Sequence, residues 1–261
     1  MSLADRVRLA SVRPLVRYVD EDQAVIETHL STRPQVPTEP TDDVPRDVEV
    51  LIEINGSDGF HDEGSTPVQL EDGHGAVLFE MVQPQRWWPA GMGDQQLYEL
   101  SISLVVRNVL ADTHKTTLGL TSVRVPKPDT PHTPDASPYL LVNGRVCDIH
   151  SVVSIDAADE QKMLPVAGDS LIIVRGHYGP DVLYDAADRA GILLIQCVPI
   201  HPDGTPEAEV QAHVDRLARH PSLAGWCVGH LGQVAQSIAH TIKSLDPTHS
   251  VFMDPPGQNA A

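Results

Sequence analysis

Positive charge is scarce in this sequence. Lysine and arginine together number 18 against 36 acidic residues, leaving a net charge of −18 at pH 7. So acidic a surface repels phosphate backbones and anionic lipid heads, which excludes nucleic-acid binding and adhesion to membrane surfaces. No uninterrupted apolar stretch reaches the roughly 18 residues of a spanning helix, so direct membrane insertion is excluded too. The opening Met1-Ser2-Leu3-Ala4-Asp5-Arg6 carries no basic-then-apolar leader, and the expectation is a cytoplasmic protein. Cysteine is also sparse. Cys147, Cys197 and Cys227 are odd in number, sit in apolar strand-like runs and lack metal-ligand spacing. They are expected to be buried thiols in a reducing compartment, with no metal site and no cofactor. Lysine contributes only 4 of the basic residues and arginine 14, a bias that points to a GC-rich bacterial genome.

What is present divides into two regions of different period. At 261 residues there is material for one large domain or two ordinary ones. After a short tail, 1–14, short runs from 15 to 125 alternate apolar and polar residues, as in Val48-Glu49-Val50-Leu51-Ile52-Glu53-Ile54. Turn clusters such as Asn55-Gly56-Ser57-Asp58-Gly59 separate them. A period of two with regular turns predicts an antiparallel β-sandwich. Within that cluster Asn55-Gly56-Ser57 matches a glycosylation sequon, but the turn accounts for it without a modification. The proline-rich segment 126–138 cannot hold a central strand or helix and is expected to be a linker. From 139 to 261, apolar strands alternate with helical stretches, which predicts a parallel sheet. Strands are expected at Leu171-Ile172-Ile173-Val174-Arg175, Leu223 to Val228 and Ser250 to Met253. Helices are expected over 157–164, 181–190, 207–220 and 234–245.

Several ordered motifs resemble glycoside hydrolase family 2, whose members include β-galactosidases, β-mannosidases and β-glucuronidases. Pro84-Gln85-Arg86-Trp87-Trp88-Pro89-Ala90-Gly91-Met92-Gly93-Asp94-Gln95-Gln96-Leu97-Tyr98-Glu99-Leu100 is similar to the family's "P-x-L-W-W-P-x-G-x-G-x-Q-x-L-Y-x-L". That signature belongs to the immunoglobulin-like sandwich before the barrel and implies a packing element. Leu141-Val142-Asn143-Gly144-Arg145-Val146 resembles the hairpin that opens the barrel. Ile173-Val174-Arg175-Gly176-His177-Tyr178-Gly179-Pro180 is similar to "N-x-V-R-x-x-H-Y-P", with one residue fewer between Arg175 and His177, and Ser244-Leu245-Asp246-Pro247-Thr248 matches "x-L-D-P-T". The resemblance implies an N-terminal immunoglobulin-like β-sandwich followed by an incomplete TIM-barrel-like parallel α/β sheet.

The family's acid/base glutamate follows "HPS…W-x-x-G" and closes an Asn-Glu pair. Here the run His220-Pro221-Ser222-Leu223-Ala224-Gly225-Trp226-Cys227-Val228-Gly229 ends in His230-Leu231, and leucine handles no proton. The later strand with the nucleophilic glutamate is expected to be absent. Retaining glycosidases need two carboxyls about 5 Å apart, so the expectation is a pseudoenzyme with no catalytic residues. A rescue by unrelated carboxylates, Asp181 or Asp254 beside His230, is the residual-hydrolase alternative. Arg175, His177, Trp226 and His230 form a possible ligand-binding remnant, which keeps carbohydrate as a possible partner. Arg175 also has a plainer reading, as a barrel-interior arginine paired to a carboxylate. His177, His201, His230 and His249 approach strand ends but lack "HxH" or "HExxH" spacing.

About five parallel strands leave a sheet unclosed, with two edges and an apolar concave face open to a partner. The leading expectation is a structural or accessory subunit docked on a larger assembly, photosynthetic membrane complexes included, or on a second copy as a homo-oligomer. A carbohydrate-binding pseudoenzyme is the alternative.

Overall fold

The structure, a computed structural model, describes residues 4, 7–34, 46–125, 139–156, 170–200, 206–229 and 232–253. The chain divides into two compact units. One is Met1–Pro84 with Gln96–Leu118, the other Gln85–Gln95 with Gly119–Ala261.

The first unit holds two antiparallel sheets. One orders β1 (Val7–Val19), β2 (Gln23–Pro34) and β5 (His74–Val82) side by side. The other runs β4 (His61–Gln69), β3 (Asp47–Gly56), β6 (Tyr98–Val106) and β7 (Val109–Leu118). Alternation produces the core directly. In β3, Val48, Val50, Ile52 and Ile54 are buried while Glu49, Leu51 and Glu53 face outward. Leu15, Ile26, Met81, Leu100, Ile102 and Leu104 join them from the neighbouring strands. Each such side chain contributes about 1.5–3 kcal/mol on burial. Residues 7–14, expected as tail, are strand. Val7 and Val12 are buried, and the segment pairs with β2 from Val7 opposite Pro34 to Pro14 opposite Thr28.

The second unit contains β8 (Val123–Arg124), β9 (Tyr139–Val142) and β10 (Arg145–Asp148) as a small antiparallel sheet. Its main sheet is parallel, in the order β11 (Ser151–Asp156), β12 (Ser170–Arg175), β13 (Leu193–Cys197), β14 (Leu223–Cys227) and β15 (Ser250–Phe252). The helices between them are α1 (Asp181–Ala190), α2 (Glu207–Leu217) and α3 (Gly232–Leu245). Sandwich and parallel sheet are both as expected. The expected linker 126–138 and helix 157–164 lie outside the described residues.

The tryptophan segment packs in this second unit, not in the sandwich where its motif placed it. Trp87 is fully buried. Its indole N–H donates to the Asp188 carbonyl at 2.7 Å, its backbone N–H to Leu120 at 2.9 Å, and its carbonyl accepts from Asn143 Nδ2 at 2.9 Å. Loop, helix α1 and the β9–β10 hairpin are thereby fastened at one residue. Asn143 and Gly144, both at positive φ, make the tight turn of that hairpin. Trp88 lies against two guanidinium groups, Arg86 at 5.0 Å and Arg145 at 4.8 Å.

The centre of the parallel sheet is buried on both faces. Leu171, Ile172, Ile173, Val174, Leu194, Ile195, Leu223 and Trp226 are all inaccessible. The concave face expected to stand open is therefore covered at the centre of the sheet; β11 carries exposed residues, and β15, Arg175 and Cys197 are half-buried.

Candidate functional site

All five parallel strands end on one row. Asp156 pairs with Arg175, Cys197 with Cys227, and Cys227 with Phe252; Val174 opposite Gln196 sets Arg175 level with Cys197. Side chains in register on neighbouring strands share a face. The carboxyl ends of parallel strands are where α/β folds place ligands. The row Asp156, Arg175, Cys197, Cys227, Phe252 is thus the candidate site.

Arg175 is half-buried, and its Nε is buried without a hydrogen-bond partner. Cys197 and Cys227 are thiols directly opposed on neighbouring strands. Cys227 donates to the Met253 carbonyl at 3.7 Å. The neighbouring Cys227 and burial push the Cys197 pKa up, while the Arg175 charge opposes them. Sequence reasoning read these cysteines as strand interior. The missed signal is that each closes an apolar run just before a breaker, Cys197-Val198-Pro199 and Cys227-Val228-Gly229.

Beneath the row lies a polar network. Gln196 is fully buried; its Oε1 accepts from Gly179 N–H at 2.9 Å and Tyr184 O–H at 2.8 Å. Its Nε2 donates to the carbonyls of His177 at 3.1 Å and Cys197 at 2.6 Å. These bonds hold the turn after β12 against the end of β13. His177 itself is exposed there, its carbonyl spent on Gln196.

Trp226, expected as a sugar platform, is completely buried. Its indole N–H donates to Asp246 Oδ2 at 2.8 Å, so both its face and its polar edge are occupied in the interior. Asp246 Oδ1 also accepts from the Thr248 hydroxyl at 2.6 Å, and Oδ2 bonds His249 Nδ1 at 2.8 Å. Burial works to raise the Asp246 pKa, yet His249, Thr248 and Trp226 together hold it far below the carboxylate range. His230 and Leu231 lie outside the described residues, as do His201 and Asp254. Of the four expected remnant residues only Arg175 falls on the candidate row. Asp181, the other suggested rescue carboxylate, is paired with Arg216 at 2.6 Å.

Among the described residues, Asp185, Asp188 and His220 bring one potential ligand atom each within 4.8 Å of one another. Most of their atoms are already engaged, although His220 Nε2 is buried without a hydrogen-bond partner. Asp188 Oδ1 accepts from the Ser222 backbone N–H at 3.1 Å and from its hydroxyl, and Oδ2 bonds His220 Nδ1 at 2.6 Å. Asp185 faces Arg219 at 4.0 Å. The group clamps the His220-Pro221-Ser222 turn to helix α1 and serves structure.

Residues 16–120 match the family model described as glycosyl hydrolases family 2. The chain is glycoside hydrolase family 2-like. It is 26% identical over 253 residues to an exo-β-D-glucosaminidase of Streptomyces avermitilis, covering 79% of this chain and 27% of that protein. It is 32% identical over 178 residues to β-mannosidase B of Aspergillus flavus, covering 59% and 21%. The family 2-like chain thus spans about a quarter of these relatives' length. Its fold matches the β-D-mannosidase of Dictyoglomus thermophilum with a TM-score of 0.73 at 20% identity, over 97% of this chain and 36% of that one. The exo-chitosanase of Amycolatopsis orientalis matches at 0.66 and 20%, over 94% and 32%. These structures bear out a sandwich joined to part of a barrel. In the described residues of the family 2-like chain, no helix is long and apolar enough to cross a membrane.

Proposed function

We propose that this family 2-like chain does not hydrolyse glycosides and serves as a structural or accessory subunit, docked by an edge of its parallel sheet onto another polypeptide. The make-up of the terminal row carries the reading. Double displacement needs an acid and a nucleophile, two carboxyls about 5 Å apart. The row offers one carboxylate, Asp156, beside a guanidinium and two thiols. The motif position of the acid is Leu231. The edges support the docking half. Among the described residues β15 pairs only with β14, and Val251 and Phe252 on it are half-buried beside Val125 and Pro247 in an open groove. An unpaired edge of that kind templates another strand. A carbohydrate-binding pseudoenzyme loses support because Trp226 is interior.

The purified chain, assayed on nitrophenyl β-D-mannoside and β-D-glucosaminide, is expected to give no turnover above buffer. Turnover abolished by Asp156→Asn or His230→Ala would overturn the first half. For the second, a stoichiometric partner is expected to co-purify from the native source and to be lost in Val251→Pro, which removes an edge donor. A monomer without partner in sedimentation would overturn it.

A further inference from the structure

We propose that Cys197 and Cys227 form a two-coordinate site for a soft monovalent d10 cation, Cu(I) being the natural probe, with Arg175 as its counter-charge. Three observations converge. The two cysteines are directly opposed on neighbouring parallel strands, each the last residue of its strand, so their side chains leave the same face at the same level. Cys227 is also the chief influence on the Cys197 thiol, raising its pKa. Arg175 sits one strand further along the row, its charge acts on Cys197, and its buried Nε has no partner.

The chemistry selects the ion. Among the described residues no third sulfur, imidazole or carboxylate groups with the two thiols, and two thiolates alone give poor coordination to zinc, which takes four ligands. Thiolate softness instead favours Cu(I) and its congeners, which accept two. Binding breaks two S–H bonds and forms two metal–sulfur bonds. Both protons go to solvent, no sulfur is oxidised, and the bis-thiolate complex carries one negative charge. A half-buried anion of that kind is costly unless a cation lies beside it, and the unpartnered edge of Arg175 answers that need. Asp156, level with Arg175 on the far side from the sulfurs, keeps its own negative charge one strand further from the complex. The Cys197 thiol is half-buried, which leaves a route in, whereas Cys227 is buried. The site is independent of whether the chain acts on sugars.

The test is an anaerobic titration of the reduced, full chain against Cu(I) held by the chromogenic chelator bicinchoninate. The parent and Cys147→Ser are expected to withdraw one equivalent, and Cys197→Ser and Cys227→Ser none. Arg175→Gln is expected to bind at least tenfold more weakly. Because two protons leave, apparent affinity should fall roughly 100-fold per pH unit on acidification. Each variant is first checked by circular dichroism melting; should Cys227→Ser not fold, the half-buried Cys197→Ser decides alone. No withdrawal by the parent, undiminished withdrawal by Cys197→Ser, or a pH slope near zero would each overturn the proposal.

Discussion

Individual side chains make the second unit sensitive to acid, and the direction follows from two residues. His213 stacks on Tyr178 with ring centroids 3.7 Å apart, and its Nδ1 lies 3.0 Å from Arg216 Nη2. Burial first, then the Arg216 charge, push its pKa below 6.5, against weaker opposition from Glu209 and Asp181. The unfolded chain therefore binds this proton more readily than the folded one, and stability is lost as pH falls below 6.5. Asp246 behaves alike at lower pH. Its folded pKa lies below 3.8, so its contribution is present above that value and is lost as pH falls through it. Acid unfolding, followed by urea midpoint against pH, should show two declining limbs. His213→Gln should flatten the upper one. Asp246→Asn should flatten the lower one, and should also cost about 1–3 kcal/mol at neutral pH, since Trp226 and His249 lose a charged acceptor. A midpoint unchanged between pH 7 and pH 5 in the parent would contradict the His213 argument.

At the scale of elements, strands β12 and β14 were legible because apolar runs bounded by glycine or proline leave few alternatives, whereas β11, whose SVVSID mixes polar and apolar residues, was not expected. The start of β1 was not, since Arg8, Arg13 and Pro14 interrupt its alternation and hide a strand that its partner β2 nevertheless pairs. The tryptophan segment was misplaced for a different reason. Strands of the sandwich precede and follow it in sequence, and nothing local announces that Trp87 hydrogen-bonds to helix α1. The site was half legible. Arg175 and His177 are carried by a motif, whereas the meeting of Cys197 and Cys227 depends on register between strands 30 residues apart, which no local pattern encodes. Gly191 tests the same long-range logic. It ends α1 at φ 70°, donates its N–H to Ala187, and accepts from Ala90 N at 2.9 Å. A Cβ there would stand 2.4 Å from Ala90 N, whereas one on Gly144, also at positive φ, would meet nothing within 4 Å. Gly144→Ala should therefore cost only the left-handed penalty, about 1–2 kcal/mol. Gly191→Ala should cost clearly more in urea unfolding, because Ala90 must move and the tryptophan segment with it. Equal costs would mean that the segment yields freely to α1.

For the molecule as a whole, charge is the property that local structure leaves unbalanced. With a net charge of −18, the folded chain concentrates like charges that the unfolded chain would spread apart. The visible compensation is thin. Arg17–Glu27 at 3.1 Å, half-buried at Glu27, and the exposed Lys115–Glu99 at 3.2 Å are surface pairs, each worth about 0.2–1 kcal/mol. Screening therefore removes more repulsion than attraction. Raising salt from about 0.01 M to about 0.1 M shortens the Debye length from about 30 Å to about 10 Å. That is too long to erase contacts of 3 Å, yet short enough to decouple acidic patches on separate strands. The midpoint of thermal unfolding should rise over this range by about 2–4 °C, the equivalent of about 1 kcal/mol in a chain of this size. Sodium chloride and a tetramethylammonium salt should act alike, because the effect belongs to ionic strength and not to one bound cation. A midpoint that stays level, or falls, would mean that the surface pairs outweigh the excess of carboxylates, and the same repulsion could not then be invoked to keep nucleic acids and anionic lipids away.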